Sequence, residues 1–260
     1  AGCEVIETNT FRSNRLALKE YGLADRVAEI NRAGAALARE VAAQCSRETG
    51  RPRLVVGNMG PTGLLPSSSD PALSHITFME LAQVFAEQAQ ALAEGGVDLL
   101  LLETQQDILE VKAAVYGINQ YFQSCGRRLP LQVQVTLDTT GRMLLGTDIA
   151  AVQAIVEALP VDVMGLNCST GPDYMREPMR YLTGHSRKPI CAVPNAGLPL
   201  NIDGVATYPL EPQPLAASLA EFVSTLGVRA VGGCCGTTPE HMRAVVERVR
   251  DLRPAVMAAD

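Results

Sequence analysis

The feature that most constrains this chain is a rhythm. Short, almost wholly apolar runs recur, each followed by a segment with helical periodicity. The runs are residues 3–7, 54–57, 98–103, 131–137, 161–166, 190–193 and 228–231. A half-exposed strand alternates apolar and polar residues, and most of these runs do not. Near-continuous apolar character suits parallel strands covered on both faces. The segments between them carry helix signals. Thr77-Phe78-Met79-Glu80 is a capping box, Gly95-Gly96 closes the stretch after it, and Thr238-Pro239 opens the last helix. Residues 58–76, rich in Gly, Pro and Ser, form a long loop between a strand and a helix, where binding residues concentrate.

Seven β-then-α units point to an α/β barrel or a doubly wound sheet. No G-x-G-x-x-G follows the first run, which weighs against a dinucleotide fold. A (β/α)8 TIM barrel needs eight strands. We therefore expect such a barrel, lacking its first βα unit in this chain, as one domain over residues 1–260. A chain of 260 residues, 47% of them hydrophobic, can build one large core. The formal charge of −6 and the lack of a basic stretch exclude a nucleic-acid footprint. The strongest apolar run, residues 97–102, is interrupted by Asp98 and is too short to span a bilayer. No secretory signal is visible, and seven cysteines, an odd number, read as reduced thiols in a cytoplasmic protein. Of these, Cys3, Cys45, Cys125 and Cys191 read as small buried hydrophobes.

In a barrel, reactive groups collect at the C-terminal ends of strands. Here one run leads into Asn167-Cys168, another into Pro194-Asn195, another into Gly232-Gly233-Cys234-Cys235-Gly236, and another ends on Glu103-Thr104. Neighbouring thiols converge only where the strand stops and the backbone turns, which the flanking glycines permit. Cys168, Cys234 and Cys235 on one rim suggest Zn2+, with three ligands and an open fourth position. Two buried thiols at a tight turn, or a vicinal disulfide, are the plainer alternatives. His75, His185 and His241 do not fit as ligands by position.

The stretches "EVIETNTFRSN" (4–14), "GPTG" (60–63), "ITFMELAQVFAEQAQALAEGGVDLLLLET" (76–104), "GLNCSTGPD" (165–173), "PNAGLP" (194–199) and "GGCCGTTPEH" (232–241) run through the chain in order. They resemble the homocysteine S-methyltransferase family, and within it the homocysteine-binding module of the cobalamin-dependent methionine synthases. The resemblance implies a (β/α)8 barrel, with zinc held by Cys168, Cys234 and Cys235. It implies a methyltransferase that transfers a methyl group to L-homocysteine sulfur and gives methionine, the metal-bound thiolate acting as nucleophile. The implied donor is methylcobalamin on a separate module or chain. A betaine or S-methylmethionine donor, or a zinc-binding barrel without catalysis, are the alternatives. Glu103 is expected to accept the substrate's α-ammonium, as the family's acid at this strand end does. The Asn195 amide oxygen is a candidate for the open metal position, and Asn9 for the pocket wall. The family's Asp-Gly-rich first strand end is not found before residue 3. No membrane or nucleic-acid partner is expected.

Overall fold

A computed structural model describes residues 1–256 of the chain. The short tail that the sequence places after the last helix, 257–260, lies outside the described residues. Nine strands and nine α-helices follow in order among the described residues. They are β1 (Val5–Glu7), α1 (Arg15–Lys19), α2 (Val27–Thr49), β2 (Leu54–Met59), α3 (Pro71–Ser74), α4 (Phe78–Glu94), β3 (Leu99–Gln105), α5 (Ile108–Cys125) and β4 (Leu131–Val135). Then come α6 (Ile149–Glu157), β5 (Val163–Asn167), α7 (Pro172–His185), β6 (Ile190–Val193), β7 (Leu200–Ile202), β8 (Val205–Thr207), α8 (Pro212–Ser224), β9 (Ala230–Val231) and α9 (Pro239–Val249). A short 3-10 turn, Ala24–Arg26, leads into α2.

Seven strands form one sheet in the order β1-β2-β3-β4-β5-β6-β9, and β7 and β8 pair by themselves. The strand order is sequential and the pairs β1–β2, β2–β3, β5–β6 and β6–β9 are parallel. This is the strand order of a (β/α)8 barrel with one strand fewer. The runs inside the sheet become strands covered on both faces: every residue of β6 is buried, as are all but the first of β2. The end strands β1 and β9 hold only exposed and intermediate residues. No helix among the described residues is long and apolar enough to cross a membrane.

The chain divides into two compact units. One comprises residues 4–133 with 159–161. The other comprises 1–3, 134–158 and 162 onward. In the first, α4 packs on α5 so tightly that a Cβ on Gly117 would stand 1.9 Å from the Ala82 carbonyl oxygen. Only glycine fits there. The Thr77–Glu80 capping box is formed and starts α4 where the sequence places it. In the second unit, α8 packs on α9. Thr238 caps α9, but the residue three positions on is His241 rather than an acid.

Four details differ from the sequence reading. Strand β2 runs on to Met59, so Asn58 is a strand residue and not the first of a loop. The loop that follows contains the single turn α3. A hairpin, β7–β8, interrupts the segment after β6, with Asp203 (φ 53) and Gly204 (φ 81) as its two turn residues. Both central residues at positive φ make the tight turn whose twist matches the paired strands. Finally, Cys45 and Cys125 are exposed rather than buried, while Cys191 is buried and Cys3 is intermediate. Cys45 lies on the outer side of α2, and Cys125 is the last residue of α5.

The loop after β2 is fastened to the first turn of α5 by two acids. Asp107 accepts from Ser67 N and Ser67 Oγ, both at 2.7 Å, while also capping α5 through Leu109 N. Glu110 accepts from Thr62 N at 2.8 Å and Thr62 Oγ1 at 2.6 Å. Glu110 is fully buried and its Oε2 has no partner. Burial pushes its carboxyl up to about 7 from an ordinary 4.5, against the two Thr62 bonds. Between those values the folded chain holds a proton that the unfolded chain has released. Stability therefore falls as pH rises from about 4.5 through 7, by about 3 kcal/mol in all. We predict that Glu110→Gln, which keeps an acceptor for Thr62, removes this slope. Urea unfolding should show the variant gaining on the wild type between pH 5 and pH 8. Parallel stability curves for the two proteins would contradict the assignment.

Candidate metal centre and acidic cluster

The second unit gathers three sulfurs. Strand β5 ends at Asn167, and Cys168 (φ 61) and Ser169 (φ 62) then take the left-handed conformation that side chains rarely adopt. Cys168 N still donates to Val193 O at 3.1 Å, so the pairing with β6 is kept up to the bend. On the other side of β6, Gly232 N donates to Ala192 O at 3.0 Å and Cys234 N to Pro194 O at 2.9 Å. The chain then turns. Thr237 N and Thr237 Oγ1 both donate to Cys234 O, at 3.1 and 2.6 Å. Gly236 sits at φ +78, and a Cβ there would stand 2.3 Å from the Tyr208 ring.

These turns bring the Cys168 and Cys235 sulfurs to 3.7 Å and those of Cys234 and Cys235 to 4.0 Å. All three lie within 4.8 Å of one another, a group able to hold a metal ion. All three are free thiols, so the vicinal disulfide is not formed. The Cys168 thiol is lowered to about 6, first because Cys234 donates its S–H to it. The Ser169 backbone, Cys235 and Asn195 add to this, and burial opposes it. Cys234 is pushed up chiefly by that same bond, then by burial and the Cys168 charge. Cys235 is pushed up by burial and then by the Cys168 charge, with the Tyr208 phenol pulling the other way.

Asn195, 1% exposed, fastens the cluster. Its Oδ1 accepts from Cys235 N at 3.1 Å, and its side chain is near enough to help hold the Cys168 thiol down. Ala196 N donates to Cys235 O at 2.9 Å. The amide oxygen that the sequence reading offered to a metal is therefore engaged by a backbone N–H. None of the histidines joins the sulfurs. His75 and His185 each bond a carbonyl of their own helix turn. His241 accepts through Nδ1 from Thr238 and donates through Nε2 to Leu210 O at 2.8 Å, tying α9 to the segment that carries Tyr208.

A family model described as homocysteine S-methyltransferase matches residues 1–249. The chain belongs to that family. It is 43% identical over 249 residues to the methionine synthase of Mycobacterium leprae, covering 96% of this chain and 20% of that protein. To the methionine synthase of Mycobacterium tuberculosis it is 43% identical over 253 residues, covering 97% and 21%. The chain thus spans about a fifth of the length of these relatives. Its fold is similar to that of the Escherichia coli homocysteine methyltransferase MmuM. The TM-score is 0.76 to the metallated form, with 21% identity, 95% of this chain and 80% of that one covered. The apo form gives 0.70 at 22% identity with the same coverage.

The first unit of this family member holds the other candidates. Asn58, on β2, donates through Nδ2 to Glu7 Oε2 at 2.9 Å and to Glu103 Oε1 at 2.5 Å. Its backbone is held by the threonines of the "ETNT" stretch. Asn58 N donates to Thr8 Oγ1 at 3.0 Å, and Thr10 Oγ1 donates to Asn58 O at 2.8 Å. Glu103 is 7% exposed. Asn9 is not brought to Glu7 or Asn58, because its Oδ1 lies against Gly34 of α2. Glu7 and Asn58 were not singled out from sequence. A polar residue closing an apolar run was the available signal for Asn58.

Asn195→Ala removes the acceptor for a part-buried backbone donor. We expect a loss of about 1–3 kcal/mol in denaturant unfolding of the metal-free protein. A loss near zero would mean that Cys235 N finds another partner.

Proposed function

We propose that this chain is the homocysteine-binding catalytic domain of a methionine-forming methyltransferase, acting as one domain over residues 1–260. The reading rests on one observation above all: three free sulfurs converge within a chain of this family. We propose zinc as the ion. A tetrahedral site with Zn–S bonds of about 2.3 Å separates its sulfurs by about 3.8 Å. Two of the separations here, 3.7 and 4.0 Å, match that span, and all three sulfurs lie within 4.8 Å of one another. Cys168, Cys234 and Cys235 would hold the ion, and all-thiolate donors suit it.

Bound zinc supplies the positive charge that keeps a fourth, incoming thiol deprotonated at neutral pH, where a free thiol is mostly protonated. The chain's own residues do the rest. Asn195 fixes the Cys235 backbone, so that sulfur keeps its direction. Thr237 fixes Cys234 by two bonds to its carbonyl. Such supporting bonds orient ligands and sustain affinity. Glu103 accepts the α-ammonium of homocysteine through a charge-assisted bond. In the transfer, the homocysteine sulfur gains the methyl carbon as the methyl–carrier bond breaks, and the thiol proton is lost to solvent. We propose methylcobalamin, on a separate module or chain, as the carrier.

The zinc-loaded chain should carry one equivalent of metal. Cys168→Ala, Cys234→Ala and Cys235→Ala should each weaken affinity by more than about a hundredfold in competition with a chromophoric chelator. Undiminished affinity in any of the three refutes the ligand set. With homocysteine and methylcobalamin, the loaded protein should form methionine. Turnover with S-methylmethionine or betaine alone would reassign the donor, and stoichiometric zinc without turnover on any of these would leave a binding domain.

A further inference from the structure

The loop between β2 and α3 is held like a hinged flap. Its near end is fixed where Gly60 N donates to Phe11 O, and a Cβ on Gly60 would stand 2.5 Å from the Phe11 ring. Its far end is the Asp70 cap of α3. Between these, the stretch bonds to itself. Leu64 N donates to Thr62 Oγ1, Ser68 N to Leu65 O and Asp70 N to Ser68 Oγ, and Leu65 N reaches Leu73 O in α3. Compact surface loops bound by their own contacts open as cooperative units. Thr62 is the one buried residue of the stretch 61–70. Among the described residues, the hydrogen bonds that tie this stretch to anything beyond α3 end on two acids of α5. Thr62 is held by Glu110, and Ser67 by Asp107.

The way Glu110 divides its bonds carries the inference. Both Thr62 groups donate to Oε1, while Oε2 is buried and bare. A carboxylate spreads its charge over both oxygens and seeks donors for both. A neutral acid suits the place better: Oε1 accepts as a carbonyl, and the proton sits on Oε2. An unmet O–H costs far less in such a position than an unmet charge. The carboxyl that burial pushes up to about 7 agrees with this. The charged groups nearby do not relieve it. Asp107, on the same helix, repels it, and Lys112 of α5 is exposed. On the neighbouring elements, Glu103 of β3 is engaged by Asn58 and Glu80 of α4 by Thr77. Arg12, whose guanidinium lies beside Gly63 of the loop, pairs with Glu20 at 3.1 Å.

We propose that Glu110 is a proton-operated latch: when it gives up its proton, residues 61–70 lift from α5 as one piece while the strands beneath stay folded. Opening brings Glu110 into water, where it ionises at its ordinary value, so one proton leaves with each opening. The opening equilibrium then rises about tenfold per pH unit from roughly 5 to 7 and levels off above that. Asp107 is a second catch that pH does not work, since Ser67 donates to it in any case. The latched stretch begins just past the end of β2, and α5 begins just past the end of β3. The latch therefore joins the two connections that border Asn58 and Glu103, and its state sets how far that rim can open.

Amide hydrogen exchange tests this at Thr62 and Ser67, whose backbone N–H groups are themselves latch bonds. Protection is measured against an unstructured peptide of the same sequence, which removes the pH dependence of exchange itself. In the wild type it should fall about tenfold per pH unit between about pH 5 and pH 7 at both amides. Glu110→Gln keeps an acceptor for Thr62 and puts an uncharged group where the bare oxygen stands, so its protection should not change with pH. Ser67→Ala, at an exposed position, loosens the second catch. It should lower protection at Thr62 at least about tenfold at every pH and keep the wild-type slope. Leu100 N, bonded to Pro130 O in the sheet, is the internal reference and should stay far better protected than the loop. Melting temperatures show that each variant is folded. If Thr62 and Ser67 exchange only as fast as Leu100, the loop opens by global unfolding and there is no latch. If wild-type protection is level across this range, or Glu110→Gln keeps the slope, the proton does not operate it. Each of these results overturns the proposal.

Discussion

The candidate metal centre depends on the parallel register of β5, β6 and β9. In that register Asn167 is level with Val193, and Ala192 with Val231. One further backbone bond beyond each strand carries Cys168 and Cys234 to the rim before the chain bends. A slip of one residue in either pair would turn the affected side chains to the opposite face. The apolar, fully buried β6 between them makes such a slip costly, since every residue of that strand is covered. Ordinary core packing thus sets where the sulfurs point.

Two asparagines do related work in the two units. Asn195 offers its oxygen to the Cys235 N–H. Asn58 gives both of its N–H groups to acids. A carboxylate in either place would lack a donor, and an ammonium or guanidinium would lack an acceptor. An amide has both and carries no charge, so it orders reactive neighbours without altering the net charge of the site. Both side chains are almost completely buried, which narrows their choice of rotamer.

Much of this was legible in the sequence. The apolar runs mark all seven strands of the main sheet; for β2 to β6 burial on both faces leaves a plain compositional trace, while β1 and β9 at the ends of the sheet are not buried. The cysteine trio was legible because glycines flank the pair and each sulfur follows a run. Asn58 was hidden by a strand end drawn at Gly57, two residues short. The bonds from Asn58 to Glu7 and Glu103 join positions 51 and 45 apart, which no local pattern encodes. The direction of the Asn195 amide is fixed by a backbone donor 40 residues downstream. The β7–β8 hairpin did carry a signal, Asp203-Gly204, but its short exposed strands lack the apolar density of the main sheet.

The sulfurs that meet at Cys168 and Cys235 are 67 residues apart in the chain. A site of this kind has no local precursor. A nascent polypeptide that has not yet reached Cys234 offers an ion a single thiolate of the three. Under the proposed zinc assignment, capture of the ion would have to wait until β9 has docked on β6, and retention of metal would report that this part of the sheet has closed.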